Sequence, residues 1–163
     1  MSFLRRRSVP ASVKAVVLGP TDRRGGWALT AGREPVVASV QALHLPGRDP
    51  IAWHLIAKAT WRRPVITVTE IAAVDGDGTV TTVELSEDGD LPEVVNARVS
   101  ASIAWTNHVR LGPHTGVRIV GRRRAGLDAL EWQHVLDKGT DPADAGVRAQ
   151  VDQLLADAQR SIG

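Results

Sequence analysis

Ile51-Ala52-Trp53-His54-Leu55-Ile56-Ala57-Lys58-Ala59-Thr60-Trp61 carries an apolar side chain at every second position: Ile51, Trp53, Leu55, Ala57, Ala59 and Trp61. A period of two is that of a strand, because successive side chains of an extended backbone point to opposite faces. The run predicts one long, bent strand that presents a single face to a core, with Trp53 and Trp61 as its anchors.

Working outward, short apolar runs separated by turn residues predict further strands at 13–19, 27–31, 35–39, 42–45, 65–71 and 80–85. Arg24-Gly25-Gly26 and Pro46-Gly47-Arg48-Asp49-Pro50 supply breaks, and Asp75-Gly76-Asp77-Gly78 is a hairpin signal because glycine tolerates positive φ. Asp90-Leu91-Pro92-Glu93 then opens a short helix to about Arg98, with a capping acid, a first-turn proline and a further acid suited to the helix dipole. From Val99 the period returns to two through Ala101, Ile103 and Trp105, which predicts a strand running towards Leu111. Leu111-Gly112-Pro113-His114-Thr115-Gly116 turns it, and strands at 117–123 and 130–136, joined through Ala125-Gly126-Leu127-Asp128, complete a three-stranded meander. Asp141-Pro142-Ala143-Asp144 starts a last helix whose Val147, Val151, Leu154, Leu155 and Ile162 fall on one face, with regular structure expected only after Gly146. The expected class is α+β: a mostly antiparallel sheet or barrel, a short helix, an appended meander and a C-terminal amphipathic helix. The expected division is a flexible basic start at 1–8, a β-rich domain at 9–98, and a meander plus helix at 99–163 packed on it.

The 163 residues suffice for such a core without covalent staples. Cysteine is absent, which excludes disulfides, thiolate zinc sites and cysteine nucleophiles and makes the reducing cytoplasm the expected compartment. The start, MSFLRRRSVP, has basic residues but no apolar run of secretory length behind it, and no stretch approaches the roughly 20 apolar residues of a spanning helix.

The net charge is only +2 although the isoelectric point is about 9.7, so the distribution of charge says more than its sum. Residues 1–63 hold 11 cations against 3 acids; residues 64–97 hold 8 acids and no cation. Residues 98–124 hold 6 arginines and no acid, and residues 125–163 hold 7 acids against 3 cations.

The seven predicted strands and the helix after them resemble the pleckstrin-homology-like superfold over 9–98. The residues that carry the likeness are Val36-Val37-Ala38-Ser39-Val40-Gln41-Ala42-Leu43-His44-Leu45 followed by Ile51-Ala52-Trp53-His54-Leu55-Ile56, similar to bacterial members in which a strand, a tight turn and an aliphatic strand precede an Ala-Trp or Pro-Trp pair. The chain departs from the family pattern in the closing helix, where 91–98 has no tryptophan. The whole chain also resembles a family of uncharacterised small proteins from high-GC bacteria. The superfold serves lipid, peptide and protein binding alike, so the resemblance implies a binding class and not a ligand. Residues 91–163 also resemble, in the order helix, three strands, helix and in the turn Gly112-Pro113-His114, a double-stranded-RNA-binding domain. There the basic start of the second helix is replaced by Asp141 and Asp144, which repel phosphate.

No motif for catalysis stands out. The histidines His44, His54, His108, His114 and His134 have no metal-ligand spacing, no serine lies in a nucleophile elbow, and no phosphate-binding glycine loop occurs. Asp75-Gly76-Asp77-Gly78 lacks the closing glutamate of a calcium loop, and Glu87-Asp88-Asp90 lies in a polar stretch unsuited to raising a carboxyl pKa. No cofactor is expected. Arginine remains, since its planar fork binds carboxylate and phosphate bidentately. The candidate anion or partner contacts are Arg62, Arg63, Arg110, Arg118, Arg122, Arg123 and Arg124, and the candidate membrane contacts are Phe3, Leu4, Arg5, Arg6 and Arg7. The expectation is a non-catalytic binding or adaptor module with a protein partner; the alternatives are nucleic-acid binding through 98–124 and attachment to anionic membrane. The competing reading is that the acidic 64–97 segment neutralises the arginines within the fold.

Overall fold

The computed structural model describes residues 7–71 and 79–162, so the hairpin signal at Asp75-Gly76-Asp77-Gly78 lies outside the described residues. The chain forms two compact units, 1–100 and 101–163, in an α+β fold with ten strands among the described residues.

In the first unit a single turn of helix, α1 (Ala11–Lys14), precedes β1 (Arg24–Thr30), β2 (Pro35–Ser39), β3 (Ala42–His44) and β4 (Ile51–Ala52). A 3-10 turn at Trp53–Leu55 leads into β5 (Ile56–Arg62), β6 (Val65–Glu70) and β7 (Val80–Glu87), and α2 (Leu91–Ser102) follows. The sheet order is β4-β3-β2-β1-β7-β6-β5, antiparallel throughout, so consecutive strands pair except at β4 and β5, and the last strand closes on the first. That closing seam is short and bulged at Leu29/Thr30, and the Ser86 hydroxyl reinforces it by donating to the Thr30 carbonyl at 2.9 Å.

The long strand predicted at 53–61 is broken. Its alternation holds for Ile51 and Trp53, both buried, but the 3-10 turn adds a residue to the count, so Leu55 faces out at 43% exposure and Ile56 is fully buried. The phase slips by one at a turn that periodicity cannot see. Trp53 is a core anchor as expected, its indole N–H donating to the Ser39 carbonyl at 3.1 Å; Trp61 is half-buried against the same core.

That core joins Ala28, Val36, Ala38, Leu43, Ile51, Ile56, Ile66, Val68 and Leu85 from the sheet with Leu91, Val95 and Val99 from α2. The helix packs on the sheet through aliphatics spaced i, i+4, i+8. It also runs to Ser102, past the predicted end, because Val99 is needed inside rather than at the head of a strand. Gly25 and Gly26, expected in a turn, lie inside β1; a Cβ on Gly26 would stand 3.0 Å from Val94, so the missing side chain lets α2 approach the strand. Residues 13–19, predicted as a strand, form none: 13 and 14 end α1 and the rest is irregular, and Val13 is fully buried against Leu29 and Val37 on the other face of β1 and β2. Burial on both faces explains why β2 reads as a continuous apolar run, as strands covered twice do.

The second unit is the meander β8 (Ile103–Gly112), β9 (Thr115–Arg123) and β10 (Leu130–Leu136), ordered β10-β9-β8, with α3 (Ala145–Ile162) on one face. Asp144 caps α3, its carboxylate accepting the N–H groups of Gly146 at 2.8 Å and Val147 at 3.0 Å. The cap fixes the start at Ala145, so Gly146 lies within the first turn rather than ahead of it. Val117, Ile119, Val151 and Ala158 are buried here, with Trp105, Val109, Trp132, Leu154 and Leu155 packed round them; Ile162, expected on this face, is 43% exposed at the helix end. Gly121 sits between Trp105 and Trp132 in the register, and a Cβ there would come within 3.2 Å of the Trp132 ring. Glycine makes room for the two indoles to meet edge to face, centroids 5.5 Å apart.

Candidate binding surface

The arginines sort by unit. In the first, basic residues from 1–63 meet acids from 64–97. Arg48 clasps Glu70 with both terminal nitrogens, at 2.8 and 3.0 Å, and this hydrogen bonding raises its pKa above the ordinary value; it donates to Thr81 as well. Arg63, at the turn after β5, pairs with Asp88 at 2.6 Å and holds that carboxyl below its ordinary pKa. Arg7 pairs with Glu87 at 2.6 Å and lies 4.3 Å over the Trp27 ring, and Arg33 reaches the same glutamate at 3.7 Å. Arg7 is therefore tied to β7 and β1, whereas its fellow membrane candidates Phe3, Leu4, Arg5 and Arg6 lie outside the described residues. Arg62 is exposed at the end of β5 and makes no ion pair among the described residues.

In the second unit strand alternation separates neighbours. Arg118 and Arg122 point away from α3, whereas Arg123 falls on the helix side and is exposed at the strand end. Arg122 is buried, 4% exposed, donating to the Ser102 hydroxyl at 2.8 Å, and desolvation lowers its pKa. Arg124, just past β9, lies 3.6 Å from Glu131. The triplet is thus not one patch.

Arg110 and Arg118 are brought together instead. The register pairs His108 with Arg118 and Arg110 with Gly116, so both arginines stand on the face opposite α3, at diagonal positions of β8 and β9. Both are exposed, and neither makes an ion pair among the described residues. Between them Asp137 crosses over Gly116 to reach His108 at 2.7 Å, where a Cβ on Gly116 would collide with the carboxylate. Asp137 thus brings a carboxylate to the same face as the two arginines, engaged with His108. His114, in the turn between β8 and β9, is exposed.

On the other side of the same sheet a cleft of about 170 Å³ opens between β8 and α3, lined by Trp105, Asn107 and Val109 of the strand and Leu154, Ala158 and Ser161 of the helix. It arises because α3 lies over β9 and β10, leaving the helix-facing side of β8 partly uncovered. Nothing in the sequence marked it, since the position of a helix across a sheet is set by packing and not by periodicity.

One further cluster has the residue types of a hydrolytic site. The Ser39 hydroxyl lies 3.3 Å from His44 Nε2, and Asp22 lies near enough to raise the histidine pKa, although burial outweighs it and lowers the value overall. Ser39 is fully buried, and its hydroxyl donates to the Ala42 carbonyl while accepting the Ala42 N–H at 3.0 Å. Its work is to lock the β2–β3 turn; a nucleophile needs an accessible oxygen whose proton passes to the base. No group of three or more potential metal ligands occurs among the described residues, and no helix there is long and apolar enough to cross a membrane. Comparison with family models, with curated proteins and with solved structures returned no match.

Proposed function

We propose that the chain is a non-catalytic cytoplasmic binding module, a pleckstrin-homology-like first unit carrying a second unit that docks an acidic protein partner on Arg110 and Arg118. The likeness of the first unit is supported by the order β4-β3-β2-β1-β7-β6-β5 and by the helix that follows β7 into its core. The observation that carries the docking role is the contrast in charge pairing: Arg48 and Arg63 are held by acids, whereas Arg110 and Arg118 stand exposed at diagonal positions. A protein partner is favoured over nucleic acid because the Arg122-Arg123-Arg124 triplet is divided among a buried position, the opposite face and a glutamate partner, so no basic stripe follows a phosphate backbone. In addition, the apolar face of α2 that would complete an RNA-binding fold lies in the core of the first unit.

The test titrates poly-glutamate against the native chain and the Arg110→Glu, Arg118→Glu double variant. Binding should weaken with salt and fall by about tenfold or more in the variant. Tighter binding of an RNA oligonucleotide with a steep salt slope, or flotation with anionic vesicles, would replace the protein partner by those ligands. Turnover that co-purifies with the native chain would overturn the non-catalytic reading.

A further inference from the structure

We propose that the outer edge of β8 takes up an extended segment of the partner as a fourth strand, and that this segment alternates acidic with apolar residues. The inference rests on the docking role assigned above and names the form of what docks.

β8 is ten residues long, Ile103–Gly112, and its outer edge carries no paired strand among the described residues. An open edge of that length presents a row of unpaired backbone groups, which an added strand satisfies whatever its sequence. Side chains then set the selectivity. A strand laid about 4.8 Å beyond β8 would point alternate residues to the two faces of the sheet. On one face they meet Arg110 and lie towards Arg118, whose forks match carboxylates. On the other they enter the cleft beneath the C-terminal half of α3, against Trp105, Val109, Leu154 and Ala158.

A second copy of this chain fits less well. Pairing β8 with its own image would gather two sets of Arg110 and Arg118 on one face of the joint sheet, where like charges repel. An alternating acidic segment removes that conflict and fills the cleft at once.

The experiment uses the whole chain and three capped octapeptides: alternating Glu-Val, alternating Lys-Val, and a block peptide of four Glu followed by four Val. Calorimetry should give binding for alternating Glu-Val, at least about tenfold tighter than for the block peptide, and none for Lys-Val. In amide exchange the bound alternating peptide should slow alternate β8 amides and leave β10 unchanged. Asn107→Trp and Ser161→Trp, both at exposed cleft positions, should each weaken the alternating peptide by about tenfold while poly-glutamate binding stays as in the native chain. Equal binding of the block and alternating peptides, with loss in the Arg110 and Arg118 variant, would overturn strand addition and leave the docking role standing. Loss of all acidic binding would overturn both. A dimer in sedimentation that the alternating peptide fails to dissociate would assign the edge to a second copy.

Discussion

The two units spend their sequence differently. In the first, a seven-stranded sheet folds round a broad aliphatic core, and Arg7, Arg33, Arg48 and Arg63 are held by acids on β6, β7 and the loop before α2, whereas Arg62 stays exposed. In the second, three strands and one helix bury few residues fully, and two arginines at diagonal positions remain unpaired among the described residues. A surface pair between exposed groups contributes about 0–1 kcal/mol, so the pairing in the first unit does little for stability. Its effect is to occupy the forks of those four arginines, whereas Arg110 and Arg118 keep theirs unpaired among the described residues.

The contrast in cores should appear first in stability. Ile56→Ala in the first unit should cost about 2–5 kcal/mol in urea unfolding, since a fully buried side chain leaves a cavity among neighbours that are themselves buried. Ile119→Ala should fall near about 2 kcal/mol, because the adjoining cleft and half-buried tryptophans can relax into the gap. Equal losses at the two positions would break the distinction. Next in size is the cap: Asp144→Ala should cost about 1 kcal/mol, read as early loss of α3 helicity, with the amide exchange of β1 and β2 unchanged.

Smaller effects follow pH. His44 has a lowered pKa through burial, so the unfolded chain takes up the proton first, and stability should decline as pH falls below the ordinary value of 6.5. Asp88, lowered by its hydrogen bond to Arg63, contributes stability above its ordinary 3.8 that is lost as pH falls through its folded value. His44→Gln should flatten the first step, and Arg63→Ala the second, in unfolding measured across pH. The least effect belongs to the Arg110→Glu, Arg118→Glu double variant, whose folding stability should stay within about 0.5 kcal/mol per substitution while its binding is lost. A large destabilisation would mean that these arginines are structural and would remove the asymmetry between the units.

Strands at 35–39 and 130–136 coincide with β2 and β10, because clear turn residues bound each run and tertiary packing agrees with local preference. The failures have particular causes. Residues 11–14 turn as a helix because Val13 caps the outer face of β1 and β2, a long-range contact that a strand-like composition hides. The 3-10 turn at Trp53–Leu55 moved the apolar phase by one residue, so Leu55 and Ile56 exchanged places. Of the candidate surface, every arginine was visible as a residue type, but Arg110 and Arg118 lie eight apart in sequence and became neighbours only through the β8–β9 register. The cleft had no local signal at all.

The indole pair flanking Gly121 gives the second unit an optical signature of its own. Two transition dipoles held 5.5 Å apart at an interplanar angle of 64° couple as an exciton, which splits the far-ultraviolet circular dichroism into a couplet of opposite signs. Its amplitude would follow the meander alone, distinct from the bands of Trp27, Trp53 and Trp61, and would vanish when either ring is replaced.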